Sequence, residues 1–377
     1  MQFNKIIGQA TLKARLIGNI REGRVPHAQF FLGPRGSGVL PMALAYATYL
    51  LCENPGEGDS CGKCSSCKMM AKLAHPDLNM AFPIFFIDKK PRTCDYYLDD
   101  WRAAVLEDPY LDADMWRETL KGENKQLRMG VDIAAEILRK LSLKAYQGGW
   151  KVMLVWLPEL MGPDMANKIL KVLEEPEPRT VFLLAGHTND QMLPTILSRT
   201  QLVKVPALDP GEVGASLQQR FPELSGEVIR GIAARSEGDL LEAYAMAEGR
   251  EEEIFGFFRD WLRNSYANKV GENVERAEAF AKMGREKQKS LIRYALYMMR
   301  QCMLQWQDLP QLVAAFGEEM EFVRKFSNLL NAHNLKGIHA ELEEAHRHLE
   351  RNANPKVLFM DLSYRLGDLL RTREPVA

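Results

Sequence analysis

The sequence lacks any long uninterrupted hydrophobic run, and it lacks a surplus of charge of either sign. Its 377 residues include 49 Lys and Arg against 50 Asp and Glu, which gives a formal net charge of −1. The short apolar runs argue against a membrane protein, and the charge balance argues against a generic basic nucleic-acid binder but not against a local basic patch. With 26% charged and 46% hydrophobic residues the composition is globular. At about 150 residues per domain, the length predicts two or three domains.

The N-terminus, MQFNKIIGQA, lacks the charged start, apolar stretch and cleavage site of a secretory signal, so we expect a cytoplasmic protein. Cysteine is scarce, and four of the six cysteines lie within residues 52–67. In a chain without a secretion signal, such a grouping indicates metal binding rather than disulfides.

The grouped cysteines have the spacing of a closed metal site. Eight residues separate Cys52 from Cys61, and two-residue spacers lead on to Cys64 and Cys67. Four thiolates at this density suit a tetrahedral structural Zn²⁺ site, and an iron–sulfur cluster is the alternative. Four protein ligands leave no open position for a substrate, so the pattern predicts a stabilising role.

The two halves of the chain differ in their hydrophobic pattern. Up to about residue 207, short apolar runs alternate with amphipathic stretches, which predicts βα units and a mainly parallel sheet. The predicted buried strands are residues 30–32, 152–156 and 181–185, with 202–205 as a further candidate. Beyond residue 207 the pattern is helical, Asp209 and Pro210 suggest a linker, and Asn354 caps a last helix. We treat residues 83–128 as an insertion of uncertain fold.

A glycine-rich segment, GPRGSGVL, follows the first strand and precedes a helix. This is the context of a phosphate-binding P-loop, whose backbone N–H groups point at phosphate, and Gly33, Gly36 and Gly38 are the candidate cradle residues. A working loop continues with Lys, which neutralises the β- and γ-phosphates, and then Ser or Thr, which holds Mg²⁺. Here those two positions are Val39 and Leu40.

The second set of nucleotide-handling charges is missing as well. A later strand should end in an acidic pair that binds the metal, but Trp156 and Leu157 stand there. Glu159, two residues on, is a poor substitute, because strand side chains alternate between faces. We therefore expect that this chain neither uses ATP as a cofactor nor hydrolyses it.

Several segments together resemble the delta-prime subunits of bacterial DNA polymerase III clamp loaders, within the AAA+ ATPase group. The matching segments are FNKIIGQ, GRVPHAQFFLGPRGSG, the cysteine group, HPDL, NKILKVLEEPEPRTVFLLAG and LPTILSRTQ. The resemblance covers residues 3–207 and is weaker beyond them. It implies an α/β AAA+ P-loop core with a parallel sheet and an inserted zinc module, followed by an all-α lid and an all-α collar domain. The implied domains are residues 1–207, with the zinc module at 52–67, then 208–250 and 251–377.

The resemblance also implies a function. Such subunits assemble with gamma/tau-type and delta-type subunits into a loader that places a sliding clamp on primer-template DNA, with no membrane partner. SRT at residues 198–200 matches the family's Ser-Arg-Cys motif, which makes Arg199 an arginine finger that acts on ATP in the neighbouring subunit. The ATPase subunits of the family, of the gamma/tau type, carry a nucleotide-sensing arginine at the position that is Leu241 here. The chain is then a non-catalytic subunit of the polymerase holoenzyme.

Two other functions remain open at this point. An active clamp-loader ATPase of the gamma/tau type would need the charges that are missing at Val39, Leu40, Trp156 and Leu157. A stand-alone zinc-containing nucleic-acid-binding protein would be expected to carry a larger positive charge. Turnover of ATP by the isolated chain, or tight salt-dependent DNA binding, would favour one or the other.

Overall fold

The computed structural model describes residues 1–87, 90–122, 125–146, 149–248, 250–315, 317–351 and 353–372. Contacts divide the chain into two compact units, Met1–Gln219 with Ser236–Ala243, and Arg220–Arg235 with Tyr244–Ala377. The finer division into core, lid and collar at residues 207 and 250 stays a prediction. Within the described residues, no helix combines the length and the apolarity that crossing a bilayer requires.

The first unit is built on a five-stranded sheet. Its strands are β1 (Ala28–Leu32), β2 (Leu78–Ala81), β3 (Lys151–Trp156), β4 (Thr180–Gly186) and β5 (Gln201–Lys204). They lie in the order β2-β3-β4-β1-β5, and every neighbouring pair is parallel. The predicted parallel sheet and its four predicted strands are therefore confirmed, and β2 is a strand that the prediction did not include.

Nine helices accompany the sheet within the described part of this region. They are α1 (Ala10–Arg21), α2 (Val39–Leu50), α3 (Ser65–Met70), α4 (Leu98–Glu107), α5 (Ala113–Thr119), α6 (Val131–Leu141), α7 (Pro163–Glu174), α8 (Pro194–Leu197) and α9 (Pro210–Arg220). Short 3-10 turns lie at Phe3–Lys5, Cys94–Tyr97 and Pro158–Leu160. Asp209 starts a helix, because its Oδ1 accepts the N–H of Gly211 at 2.8 Å and α9 begins at Pro210. The role of this segment as a linker stays a prediction.

The core follows from the apolar composition of the central elements. Every residue of β3 and β4 is buried, as expected for parallel strands that are covered on both faces. Every residue of α2 is buried too, and this helix packs against β1, β3 and β4. A helix that is apolar all round is stable only in the interior, which fixes the segment directly after the glycine-rich loop.

The insertion at residues 83–128 is anchored to the sheet by aromatic rings. Phe82 stacks on Trp101 of α4 with ring centroids 4.9 Å apart, and Trp101 lies 6.2 Å from Trp156 at the end of β3. Both tryptophans are at most 1% exposed. Residues 88–89 and 123–124 of the insertion lie outside the described residues.

Helices make up the rest of the described chain. They are α10 (Gly226–Arg235), α11 (Leu240–Ala247), α12 (Arg250–Tyr266), α13 (Val270–Lys282), α14 (Arg285–Trp306), α15 (Gly317–Phe326), α16 (Ala332–Glu350) and α17 (Pro355–Arg371), with 3-10 turns at Pro310–Leu312 and Ser327–Leu329. The side chain of Asn354 caps α17 as predicted, while Asn352 lies outside the described residues. The core of the second unit includes Trp261, Met298 and Phe359. The predicted fold class, an α/β core followed by helical structure, is confirmed.

Candidate functional site

The glycine-rich loop lies between β1 and α2, as the sequence predicts. β1 ends at Leu32 and α2 begins at Val39, with Gly36 and Gly38 at φ values of 72° and 91°. A loop of this shape before a helix N-terminus is an anion site in principle. Val39 and Leu40 are each 3% exposed. The positions of the missing Lys and hydroxyl are therefore filled by side chains of the hydrophobic core.

The glycines of the loop lie against other segments of the protein. A Cβ on Gly36 would lie 2.2 Å from Oδ1 of Asp239, and a Cβ on Gly38 would lie 3.2 Å from the ring of Tyr110. In a working P-loop, glycine lets phosphate approach the backbone. Here the missing Cβ atoms make room for the insertion and for the start of α11, so protein atoms cover the loop.

Arg35, in the middle of the loop, is held by carboxylates from two distant segments. Its Nε lies 2.6 Å from Oδ2 of Asp112, and its Nη1 lies 2.8 Å from Oδ2 of Asp239 and 3.6 Å from Oε2 of Glu242. Burial by itself would lower the pKa of the Arg35 guanidinium, but Asp239 and Asp112 raise it above its ordinary value. The one cation of the loop is thus already neutralised by the chain itself.

Each of these two aspartates also starts a helix. The other oxygen of Asp112 accepts two backbone N–H groups from the first turn of α5, at 2.9 and 2.8 Å. Oδ1 of Asp239 does the same at the start of α11, at 3.0 and 3.1 Å. A carboxylate that caps a helix has its direction fixed. Arg35 therefore binds two rigid acceptors, and the loop, the insertion and the start of α11 are tied together.

At the end of β3, hydrophobic side chains stand at the two positions where an acidic pair would bind the metal. Trp156 and Leu157 are 1% and 2% exposed, and the ring of Trp156 belongs to the aromatic cluster with Trp101. An aromatic core therefore occupies the position at which an acidic pair would hold Mg²⁺.

Glu159 lies beside the end of β4. The strand-alternation argument does not apply to it, because β3 has already ended. The chain leaves the strand after Trp156 and forms the 3-10 turn Pro158–Leu160, which turns the carboxylate toward β4. Oε1 of Glu159 accepts the backbone N–H of His187 at 2.8 Å, and Nδ1 of His187 lies 3.0 Å from the carbonyl oxygen of Gly33. Because a carbonyl only accepts, Nδ1 donates. Burial raises the pKa of Glu159 above its ordinary value, and the N–H of His187 opposes that shift.

Arg199 follows α8 and is partly exposed. Its Nε donates to Oε2 of Glu174 at 3.0 Å, and its Nη1 donates to the backbone oxygen of Thr195 at 3.1 Å. The side chain is 31% exposed. The guanidinium is therefore held in place at the surface without being buried.

Arg199 and the phosphate loop lie at opposite ends of two neighbouring parallel strands, β5 and β1. In the parallel pair of β1 and β5, Gln201 is opposite Gln29 and Lys204 is opposite Leu32. Arg199 precedes the start of β5, whereas the loop follows the end of β1. Arg199 and the loop are therefore separated by the whole length of the strand pair, in which each residue spans about 3.3 Å. Arg199 cannot serve the loop of its own chain.

The four grouped cysteines come together in space. Their sulfur atoms all lie within 4.8 Å of one another, with 4.0 Å between Cys52 and Cys64 and 3.9 Å between Cys61 and Cys67. A tetrahedron of Zn–S bonds of about 2.3 Å has edges of roughly 3.8 Å. Both distances fit such a tetrahedron and are far longer than a disulfide bond of about 2 Å, and all four cysteines are free. The cluster is a candidate metal site.

Backbone N–H groups point at three of the four sulfur atoms in this cluster. The N–H of Cys61 points at the sulfur of Cys52 at 3.3 Å, the N–H of Cys64 at the sulfur of Cys61 at 3.3 Å, and the N–H of Cys67 at the sulfur of Cys64 at 3.4 Å. Such contacts orient and stabilise metal-bound sulfur. Backbone N–H groups of Lys63 and Cys64 lower the pKa of Cys61 to about 6, whereas burial raises the pKa values of Cys52 and Cys67 above the ordinary thiol value.

Sequence reasoning missed the residues that close the phosphate loop. Arg35 stands inside the glycine-rich motif, whose pattern points only to the glycines. No motif or sequence spacing relates Arg35 to Asp112 or Asp239. A positive residue in a loop that lacks the motif lysine is the one available signal. Glu174, next to Arg199 in space, was missed for the same reason, since 25 residues separate the two.

The parallel sheet and the phosphate loop after β1 define a P-loop core of the AAA+ kind, and helical structure follows it. The loop lacks the charged residues that a catalytic P-loop carries. The family model described as DNA polymerase III, delta subunit, matches residues 8–209. The chain belongs to that family.

Curated relatives agree with this membership in name. The chain is 30% identical over 226 residues to DNA polymerase III subunit delta' from Pseudomonas aeruginosa, a match that covers 59% of this chain and 56% of that protein. It is 28% identical over 235 residues to the subunit delta' from Escherichia coli, covering 62% and 58%. The matches thus span little more than half the length of these relatives. A DNA polymerase III gamma subunit-related protein from Thermotoga maritima aligns over 95% of this chain and 100% of its own, at 17% identity and a TM-score of 0.43, which is too low to carry an argument.

Proposed function

We propose that this chain is a delta-prime-type subunit of the DNA polymerase III clamp loader, which hydrolyses no ATP itself and supplies Arg199 to an ATP site of a neighbouring subunit. One observation carries the proposal. The phosphate loop is closed by its own chain, with Arg35 bound to Asp112 and Asp239, while Arg199 is partly exposed and lies at the opposite end of the strands.

The electrostatics of the loop oppose a nucleotide. Phosphoryl transfer depends on cations placed around the phosphates. At this loop Arg35 is already bound by carboxylates, and the cradle glycines Gly36 and Gly38 are covered by protein atoms. A triphosphate that entered would meet Asp112 and Asp239 at close range, and like charges at such distances repel strongly. Neither ATP binding nor hydrolysis is expected from this chain.

The chemistry of Arg199 suits action on a partner. A guanidinium is always charged and forks toward phosphate oxygens, and an arginine supplied in trans is worth roughly 10³ to 10⁵ in rate. In the assembled loader the neighbours would be gamma/tau-type and delta-type subunits. The chain would reach the sliding clamp and primer-template DNA through this complex, in the cytoplasm and without a membrane partner.

Zn²⁺ is the metal that we propose for Cys52, Cys61, Cys64 and Cys67. Four sulfur ligands in a tetrahedral arrangement are typical of structural zinc, which would stabilise the segment at residues 52–67. No coordination position remains for a substrate, so the ion has no part in catalysis. An iron–sulfur cluster is the alternative that metal analysis distinguishes.

Co-purification tests the proposal. The full chain is expressed with candidate gamma/tau-type and delta-type subunits and with the sliding clamp, and ATPase activity on primed DNA is measured with and without it. We expect a stable complex whose stimulated ATPase depends on this chain, and no turnover by the chain alone. Absence of any complex would contradict the proposal. Turnover by the isolated chain would instead support an active ATPase, and tight salt-dependent DNA binding without a complex would support a stand-alone nucleic-acid-binding protein.

A further inference from the structure

Glu174, the last residue of α7, makes the one carboxylate contact of Arg199 within the described part of the chain. Oε2 of Glu174 lies 3.0 Å from Nε of Arg199, and the glutamate side chain is 56% exposed. The second fixed contact of the guanidinium is the carbonyl oxygen of Thr195, 3.1 Å from Nη1, and Oγ of Ser198 lies at 3.5 Å.

Stability does not explain this glutamate. The C-terminal end of a helix carries a partial negative charge, so an acidic residue there is unfavourable for the helix. Glu174 ends α7 and is followed by the equally acidic Glu175. An exposed ion pair contributes little in return. The carboxylate therefore adds no stability to the end of this helix.

The geometry of the pair leaves the outer end of Arg199 available. Glu174 takes the Nε–H group, and Thr195 takes one hydrogen of Nη1. Nη2 has no hydrogen-bond partner among the described residues. Phosphate oxygens are bound by the terminal nitrogens of a guanidinium. Glu174 thus holds the inner edge and leaves Nη2 free for a ligand.

We infer that Glu174 is a positioning residue for Arg199, which fixes the direction of the guanidinium before the neighbouring subunit's ATP is engaged. A free arginine side chain samples many rotamers, and ordering it costs entropy each time it binds. An arginine that is held in place by a carboxylate and a carbonyl has already lost most of that freedom, so its transition-state contact forms at lower cost. This inference rests on the proposed function of Arg199.

The test uses the complete loader, reconstituted with the variants Glu174→Ala, Glu174→Gln, Arg199→Ala and the double variant Glu174→Ala with Arg199→Ala. Glu174→Ala should lower kcat of the DNA- and clamp-stimulated ATPase about tenfold and change KM for ATP less than about twofold, as expected for a contact made in the transition state. Glu174→Gln should recover part of the loss, because its amide oxygen accepts Nε–H. Combined with Arg199→Ala, the Glu174→Ala change should cost nothing further.

Glu175→Ala is the matched control, since Glu175 is the adjacent exposed acid and forms no ion pair within the described part of the chain. It should leave the ATPase unchanged. The unfolding temperature of the Glu174→Ala chain should not be lower than that of the wild type, because the substitution removes a negative charge from a helix C-terminus.

The outcomes separate the inference from the function it rests on. Unchanged ATPase with Arg199→Ala would overturn the proposed function. A loss with Arg199→Ala but none with Glu174→Ala would overturn the inference alone. Faster turnover with Glu174→Ala would show that Glu174 competes with phosphate, and an extra loss in the double variant would show a structural role, and either result overturns the positioning role.

Discussion

Nη1 of Arg35 lies 2.8 Å from Oδ2 of Asp239, although 204 positions separate the two residues in the sequence. The contact places a carboxylate beside a loop whose usual ligand is a phosphate. Because Asp239 also caps α11 with its other oxygen, its direction is fixed. The closed loop is therefore part of the packing of the first unit. Substitutions in it should change the stability of the fold as well as any binding of phosphate.

Removing the cation of the loop should destabilise the fold. Arg35→Ala leaves the carboxylate of Asp112, whose side chain is 6% exposed, without its counter-ion. We expect the free energy of unfolding in urea to fall by about 1–3 kcal/mol, the range for a partly buried charge that loses its partner. Arg139→Ala is the matched control, since that side chain is 63% exposed and pairs with Asp95. Its effect should stay within about 0.5 kcal/mol, and equal losses for the two variants would contradict the account.

Restoring the consensus residues should not restore the ATPase. Val39→Lys with Leu40→Thr puts an ammonium and a hydroxyl into positions that are each 3% exposed. Burial of an unpaired charge is costly, so we expect a marked drop in the unfolding temperature and no ATP turnover. Val39→Ala with Leu40→Ala is the matched control for lost packing. Hydrolysis by the consensus variant, measured as phosphate release, would show that the closed loop still opens to nucleotide.

Zinc removal should weaken the first unit. We expect about one zinc per chain by elemental analysis, lost with Cys61→Ser and retained with Cys302→Ala, since Cys302 stands apart from the cluster. Chelation should lower the unfolding temperature reversibly, because metal binding free energy contributes to folding. Absent zinc together with a broad visible absorbance band would identify an iron–sulfur cluster instead.

The buried carboxyl of Glu159 should give stability a specific pH dependence. Its folded pKa is raised above the ordinary value of 4.5 by burial. A raised folded pKa favours the protonated form, so the contribution to stability is full below pH 4.5 and is lost as pH rises through the folded pKa. Glu159→Gln cannot ionise, and its amide oxygen still accepts the N–H of His187. The unfolding free energy of this variant relative to wild type should therefore rise between pH 4 and pH 8, and a flat or falling difference would contradict the assignment.

The elements that could be predicted are those encoded locally. The strands around Phe30 and Val152 read directly as apolar runs, and Asn354 before Pro355 is a cap that needs no distant partner. The cysteine cluster was predictable because its ligands lie within 16 residues of one another, so spacing alone constrains their geometry.

The elements that could not be predicted depend on contacts between distant segments. The closure of the loop joins Arg35 to Asp112 and Asp239, and no period or motif relates those three positions. The argument about Glu159 failed because it assumed a longer strand, whereas β3 ends at Trp156 and a 3-10 turn follows. The insertion had no clean period because its helices are short and its packing depends on Trp101 and Trp116.

The most direct test of the central claim is the DNA- and clamp-stimulated ATPase of a loader that is complete except for Arg199→Ala in this chain. Complex formation should be unchanged, since the side chain is 31% exposed and its ion pair with Glu174 lies at the surface. Turnover at the ATP site that Arg199 serves should fall by at least about a hundredfold, with Arg139→Ala as the neutral control. Turnover equal to that of the wild-type loader, in a complex of the same composition, would contradict the account.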